Sequence, residues 1–257
     1  MVKKNTHDLV KDGPVATITF NRPERRNALD TEFFEELYES LLVCDNDDDV
    51  RVVILAAEGP VFCAGQNLKF TNSATPEEYH RYGLINGTTR DFMTRMRKPV
   101  IARVQGPAIG GGGYIITSCD IIVMADDTYT AMREIQAGVH SGGSHILAIG
   151  LQRAREINLT GRRIPAKEAY EMGLINRCVP ADQLDAVIQE YVDQLLALPP
   201  LGVQTTKFAM RVAMDAAGFS TRISGAFAAG WFLRNTEDFR EAKRAFVEKR
   251  APEFKGR

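Results

Sequence analysis

Gln105-Gly106-Pro107-Ala108-Ile109-Gly110-Gly111-Gly112-Gly113-Tyr114 follows the apolar run Lys98 to Val104 and precedes an apolar stretch of helical character. Consecutive glycines between a strand and a helix let the backbone approach a bound group closely. They also leave free N–H donors at the helix's positive end. Such donors suit a phosphate, or a carbonyl oxygen that becomes anionic during a reaction. Close helix-to-strand packing is the structural alternative, and it accounts for one or two glycines rather than four. A P-loop would need Gly-Lys-Ser/Thr where Gly113-Tyr114-Ile115 stands, and the GxGxxG dinucleotide pattern finds no register. Neither Gly-x-Ser-x-Gly nor His-Glu-x-x-His occurs.

Outward from this run, strand and helix signals alternate. Val15 to Phe20 is β-rich and ends at the turn-like Asn21-Arg22-Pro23. A helix follows, with Asp30 or Thr31 as N-cap and Phe33, Phe34, Leu37, Leu41 and Leu42 at helical spacing. The acidic run Asp45 to Asp49 reads as its solvated exit. Val50 to Ala57 is apolar almost without alternation, as expected for a strand covered on both faces. Lys98 to Val104 and Asp120 to Ala125 are two more strands. The pattern is that of an α/β layered core. A second loop, Phe62-Cys63-Ala64-Gly65-Gln66-Asn67-Leu68, also follows a buried strand and is rich in small residues, so two backbone N–H donors could meet on one oxygen.

After about residue 145 the chain turns helical: Arg153 to Thr160, Ala166 to Met172, Ala181 to Leu198, Pro200 to Ala217 and about Thr236 to Lys249. Pro199-Pro200 separates two helices rather than forming a flexible linker. The helix expected from Ile223 to Leu233, with Trp231, is apolar enough to pack internally or against another subunit. The 257 residues carry a formal net charge of −1, so a general nucleic-acid binder, which needs a basic excess, is not expected. No apolar run of about 18 residues appears, which argues against a membrane span. The N-terminus lacks the apolar stretch of a signal peptide. Cys44, Cys63, Cys119 and Cys178 are scattered and read as reduced core thiols of a cytoplasmic chain, with no metal site.

Asn21-Arg22-Pro23-Glu24-Arg25-Arg26-Asn27-Ala28-Leu29, the Phe62 to Leu68 loop and Lys98 through Gly112 with Cys119-Asp120 together resemble the enoyl-CoA hydratase/isomerase, or crotonase, family. Leu159-Thr160-Gly161, Ala169 to Leu174 and Ala245 to Arg250 continue the match in order. The resemblance implies an α/β fold, a spiral of ββα units, spanning residues 1–195. It also implies a helical C-terminal region, 196–257, that builds a homotrimer or dimer of trimers. It implies an acyl-CoA thioester substrate, with no cofactor beyond the coenzyme A of that substrate. Carried over by position, the donors to the thioester oxygen are the backbone N–H groups of Gln66 and Gly111, with Gly110 permitting the approach. Backbone around Ala64, Gln66, Asn67 and Leu68 would meet the adenine and pantetheine. Arg25, Arg26 and Ala28 would lie near the coenzyme, and Lys249 near its phosphates.

Hydratases of this family commonly use two glutamates. Met132-Arg133-Glu134-Ile135 supplies one, Glu134; where the other is expected, three residues past Gly111, this chain has Tyr114. A phenol with a reference pKa near 10 is a poor base at neutral pH. Tyr114 therefore donates a hydrogen bond, orients a water or lines the acyl pocket. The loop after Glu134, Gly138 to His145, also departs from the family pattern, and His140 or His145 is either a second titrating group or structural. One carboxylate suffices to shuttle a proton between carbons, so double-bond isomerisation or hydration of an enoyl-CoA is expected. Decarboxylation, hydrolysis and non-catalytic acyl-CoA binding are the alternatives. An RNA-associated role is disfavoured by Glu35, Glu36 and Glu39 on the first helix. Residues Thr71 to Arg97 carry no readable code for the acyl group.

Overall fold

The computed structural model describes residues 1–141, 145–218 and 233–256. Its strands are β1 (Val2–Lys3), β2 (His7–Asp12), β3 (Val15–Phe20), β4 (Val52–Ala57), β5 (Val100–Val104), β6 (Ala108–Ile109), β7 (Ile121–Ala125), β8 (Tyr129–Ala131), β9 (Ile164–Pro165) and β10 (Arg177–Val179). Seven of them form one sheet in the order β1-β2-β3-β4-β5-β7-β10. The β1–β2 and β2–β3 pairs are antiparallel; from β3 to β10 the pairing is parallel. The remaining three, β6-β8-β9, make a small second sheet beyond the ends of β5 and β7.

The helices are α1 (Thr31–Asn46), α2 (Leu68–Ser73), α3 (Pro76–Arg95), α4 (Gly111–Ile116), α5 (Ile146–Ile149), α6 (Leu151–Thr160), α7 (Ala166–Glu171), α8 (Leu184–Leu196), α9 (Pro200–Ala216) and α10 (Glu237–Glu248). Asp30 caps α1 as its sequence suggests, accepting from Phe33 N at 3.0 Å. The unbroken apolar character of β4 has the expected cause. Val53 and Leu55 join the main core with Phe20, Phe33 and Leu37, while Val52 faces Leu184, Ile188 and Val192 of α8 on the other side.

Three differences from the sequence reading stand out. The helix expected from Ala181 begins instead with a 3-10 turn, Ala181–Gln183, behind Pro180, and the α-helix runs from Leu184. The antiparallel hairpin β1–β2 precedes the first strand anticipated. Most consequential, the unreadable stretch from Thr71 contains α3, twenty residues long and opened by a Thr75/Glu78 capping box. Only Tyr82, Thr89 and Met93 of α3 are buried, so it lacks the broad apolar stripe that marks a core helix.

The C-terminal helices dock on their own core. Lys207 of α9 reaches the carbonyls of Met93 and Lys98, both at 3.0 Å, and Asp120 Oδ2 at 2.6 Å. Arg211 pairs with Asp91 at 2.8 Å. The Ile223 to Leu233 helix lies outside the described residues except for Leu233, as do Gly142, Gly143 and Ser144. The four cysteines are unpaired, and burial raises the Cys63 thiol to about 12. Among the described residues no helix is long and apolar enough to cross a membrane.

Candidate active site

The loop after β4 is threaded between two other segments by backbone hydrogen bonds. Ala64 N donates to Arg26 O and Leu29 N to Gly65 O, while Asn67 N returns to Leu29 O. On the other side Cys63 N donates to Pro107 O and Ile109 N to Cys63 O. Leu29 and Gln66 thus form a single parallel bridge. In that pairing Leu29 uses the groups of residues 65 and 67, so the N–H of Gln66 points away from it. Gly110 N is taken by Ala131 O at 2.7 Å, and Gly111 follows as the first helical residue of α4. Among the described residues, neither Gln66 N nor Gly111 N has an acceptor.

The glycines set this spacing. Gly65, at φ +85°, is so close to the second loop that a Cβ there would lie 2.7 Å from Ile109 O and 3.5 Å from Gly111 N. Gly110 has φ 54° and ψ −120°, and a Cβ would stand 2.9 Å from Glu134 Oε1. Packing explains more of the run than the sequence reading allowed. A Cβ at Gly111 would strike Leu29, at Gly112 Cys63, and at Gly113 it would crowd Met132. Tight contact therefore accounts for three of the four glycines, and conformation for Gly110.

Both loops open into one cleft of about 2330 Å³, which Glu134, Tyr114, His140 and α3 also line. Glu134 opens a 3-10 turn just past β8. Its Oε2 is buried without a hydrogen-bond partner, and burial raises its pKa from 4.5 to about 7 although the Arg90 charge pulls the other way.

Tyr114 heads a directed chain of hydrogen bonds. The Asn158 amide nitrogen can only donate, so His145 Nε2 accepts from it at 2.9 Å. Asn158 Oδ1 accepts from the Ser141 hydroxyl. Ser141, its one proton committed, accepts from the Tyr114 hydroxyl at 2.6 Å. Of the roles open to Tyr114 in the sequence, donation into the cleft is thereby removed, its phenolic proton going to Ser141. His145, which also lines the cleft, is buried and pushed down to about 4 by desolvation. His140 is partly buried in the cleft wall, and its pKa too is lowered by burial.

At the mouth, Arg25, Arg26 and Ala28 line the cleft beside Ala64, Asn67 and Leu68. Arg26 and Asn27 hold left-handed backbone, anchored by Asn27 donating to Glu58 O and Val61 O, both at 3.0 Å. The Asn67 side chain is occupied as the cap of α2. Lys249 is absent from the lining, and Arg234 and Lys243 line it instead. Lys249 sits past the end of α10, whose cleft face carries Phe239, Ala242, Lys243 and Phe246. The sequence reading also missed Arg90, on the stripe Tyr79, Tyr82, Asn86 and Arg90 of α3; the helical spacing of those four polar or aromatic residues was the available signal.

The sequence pattern described as enoyl-CoA hydratase/isomerase matches residues 11–257. The chain is 34% identical over 269 residues to the enoyl-CoA hydratase EchA19 of Mycobacterium tuberculosis, covering 100% of this chain and 96% of that one. It is similar to a solved enoyl-CoA hydratase from Mycobacterium avium subsp. paratuberculosis, with a TM-score of 0.88 and 26% identity over 97% of this chain and 98% of that one. A solved methylmalonyl-CoA decarboxylase gives a TM-score of 0.83 at 25% identity, with 100% of both chains covered.

Proposed function

This chain belongs to the enoyl-CoA hydratase/isomerase family, and on that premise we propose that its cleft binds an acyl-CoA thioester and transforms it through an enolate. The backbone N–H groups of Gln66 and Gly111 donate to the thioester oxygen, and Glu134 is the acid/base. The observation that carries this reading is the buried Glu134 carboxylate, its Oε2 partnerless, set against Gly110 beside two N–H groups without an acceptor among the described residues.

In double-bond isomerisation, Glu134 takes a proton from C2 of a 3-enoyl thioester and the electron pair moves onto the thioester oxygen. Two preorganised donors stabilise that oxyanion, each worth about 3–4 kcal/mol by mutational precedent. The same carboxyl then returns its proton to C4, and the double bond reforms between C2 and C3. In hydration, Glu134 takes a proton from water as its oxygen adds to C3, then delivers it to C2. A carboxyl with a pKa of about 7 is suited to both halves of either cycle near neutrality. The phenol oxygen of Tyr114 accepts a hydrogen bond from the attacking water. As part of the same reading, the chain assembles as a homotrimer or a dimer of trimers, which light scattering in solution would test.

Glu134→Gln keeps the shape and removes the base. Turnover of crotonyl-CoA and of a 3-enoyl-CoA should fall by about 10²- to 10⁴-fold. Undiminished turnover of both would remove Glu134 from the mechanism. The likeness to methylmalonyl-CoA decarboxylase, together with Tyr114 in place of a second carboxylate, supports decarboxylation as the second reading. Release of carbon dioxide from a malonyl-type thioester, with no turnover of either enoyl-CoA, would favour it.

A further inference from the structure

Arg90 is a cation on the Glu134 and Tyr114 side of the cleft, and no carboxylate of the described residues pairs with it. It projects from α3 into the space lined by Gly110, Tyr114 and Glu134. Its hydrogen bond is from Nε to Asn86 Oδ1 at 2.9 Å, and its Cζ lies 5.1 Å from the centroid of the Tyr114 ring. Among the described residues no carboxylate forms an ion pair with it. The adjacent Asp91 is engaged by Arg95 and Arg211. The undescribed residues, 142–144, 219–232 and 257, contain no aspartate or glutamate side chain that could serve instead.

A guanidinium stays protonated in proteins, so desolvation here costs free energy without neutralising the group. Among the described residues the partners of Arg90 are one neutral amide and one aromatic face, and the two terminal amino groups of the fork meet no protein acceptor. Glu134 is the nearest acid in electrostatic terms, yet burial keeps its pKa high rather than forming a pair. The planar fork matches a carboxylate through two parallel hydrogen bonds.

We propose that Arg90 binds a free carboxylate on the acyl group, so that the substrate is the mono-CoA thioester of an unsaturated dicarboxylic acid. This rests on the acyl-CoA reading above and narrows it. It also bears on the reaction: an ion pair with Arg90 stabilises the carboxylate in the ground state and opposes its loss. The carboxylate is accordingly a recognition handle that survives turnover, and the chemistry occurs at the double bond.

Binding of two unreactive thioesters by wild-type protein tests this without any variant. Calorimetry should show glutaryl-CoA binding about 10- to 100-fold more tightly than butyryl-CoA, the range for a hydrogen-bonded charge. Butyryl-CoA binding as well as glutaryl-CoA would overturn the role of Arg90 while leaving the acyl-CoA reading intact. Failure of both to bind would overturn that reading and this inference with it. In kinetics, Arg90→Met should lower kcat/KM for glutaconyl-CoA by a similar factor more than it lowers that for crotonyl-CoA, the difference lying chiefly in KM. Equal losses on both substrates, with the pH profile displaced, would instead make Arg90 a positioning residue for Glu134 and refute the proposal.

Discussion

Gly110→Ala separates backbone strain from displacement of the proposed acid/base. Gly110 sits at φ 54° and ψ −120°, outside the regions an L-residue adopts, and its N–H is held by Ala131 O at 2.7 Å, so the backbone has little freedom to relax. Holding alanine there costs about 1–3 kcal/mol of stability. The new methyl would also lie 2.9 Å from Glu134 Oε1. That atom ends a flexible side chain, so the clash resolves by moving the carboxylate, cheaply for folding and expensively for chemistry. A shift of about 1 Å in a catalytic group costs on the order of 10²-fold in rate. Gly13→Ala is the matched control: φ is +53° and a Cβ meets nothing within 4 Å. It should lose about 1–2 kcal/mol from its left-handed backbone and keep full activity. Urea unfolding and kcat/KM on an enoyl-CoA, measured for both variants, give the comparison. If Gly110→Ala were as active as Gly13→Ala, the contact between Gly110 and Glu134 would have no bearing on catalysis.

Glu134 also couples stability to pH. It ionises near 4.5 when unfolded and near 7 when buried, so its contribution is most favourable below 4.5 and is lost as pH rises to 7, of order 3 kcal/mol in all. Glu134→Gln should therefore be more stable than wild type at pH 8 and nearly equal at pH 5; a gap that is the same at both values in urea unfolding would argue against a buried, raised carboxyl. Tyr114→Phe removes a lone-pair acceptor from the cleft and should slow hydration by about tenfold while sparing double-bond migration, roughly the value of one hydrogen bond. Parallel assays showing equal losses would exclude water seating by the phenol. Lys207→Met strands Asp120 and two buried carbonyls and should cost about 3–5 kcal/mol. Asp120→Asn added to it should recover part of that loss in denaturant titrations, and no recovery would mean the pair is not coupled.

The parts of this site that were legible are those where backbone dictates residue type. A left-handed φ at Gly110, the near-contact of Gly65 with Ile109 O and the close passage of Gly112 along Cys63 leave glycine as the residue that fits, so they show as glycines in the sequence. β4 was legible for a related reason, because two packed faces demand an unbroken apolar run. α3 was not. One side of it lines the cleft, where Asn86 and Arg90 interrupt the apolar face that Tyr79 and Tyr82 turn to the core. Its helical character is written mainly in its cap, Thr75 with Glu78, and in spacing that hydrophobicity alone does not reveal. The same division runs through the chemistry. In the proposed mechanism backbone donors carry the step that reactions through a thioester enolate hold in common, and glycine spacing announces them. In the proposed complex the acyl group is read by side chains from a helix that looks like any solvated one until its partner segments are in place. Selectivity can consequently change by substitution on α3 while the Gly110 to Gly113 run stays as it is. Arg90→Met is the smallest such change: it would alter the charge of the proposed acyl pocket while leaving Gln66, Gly111 and Glu134 as they are.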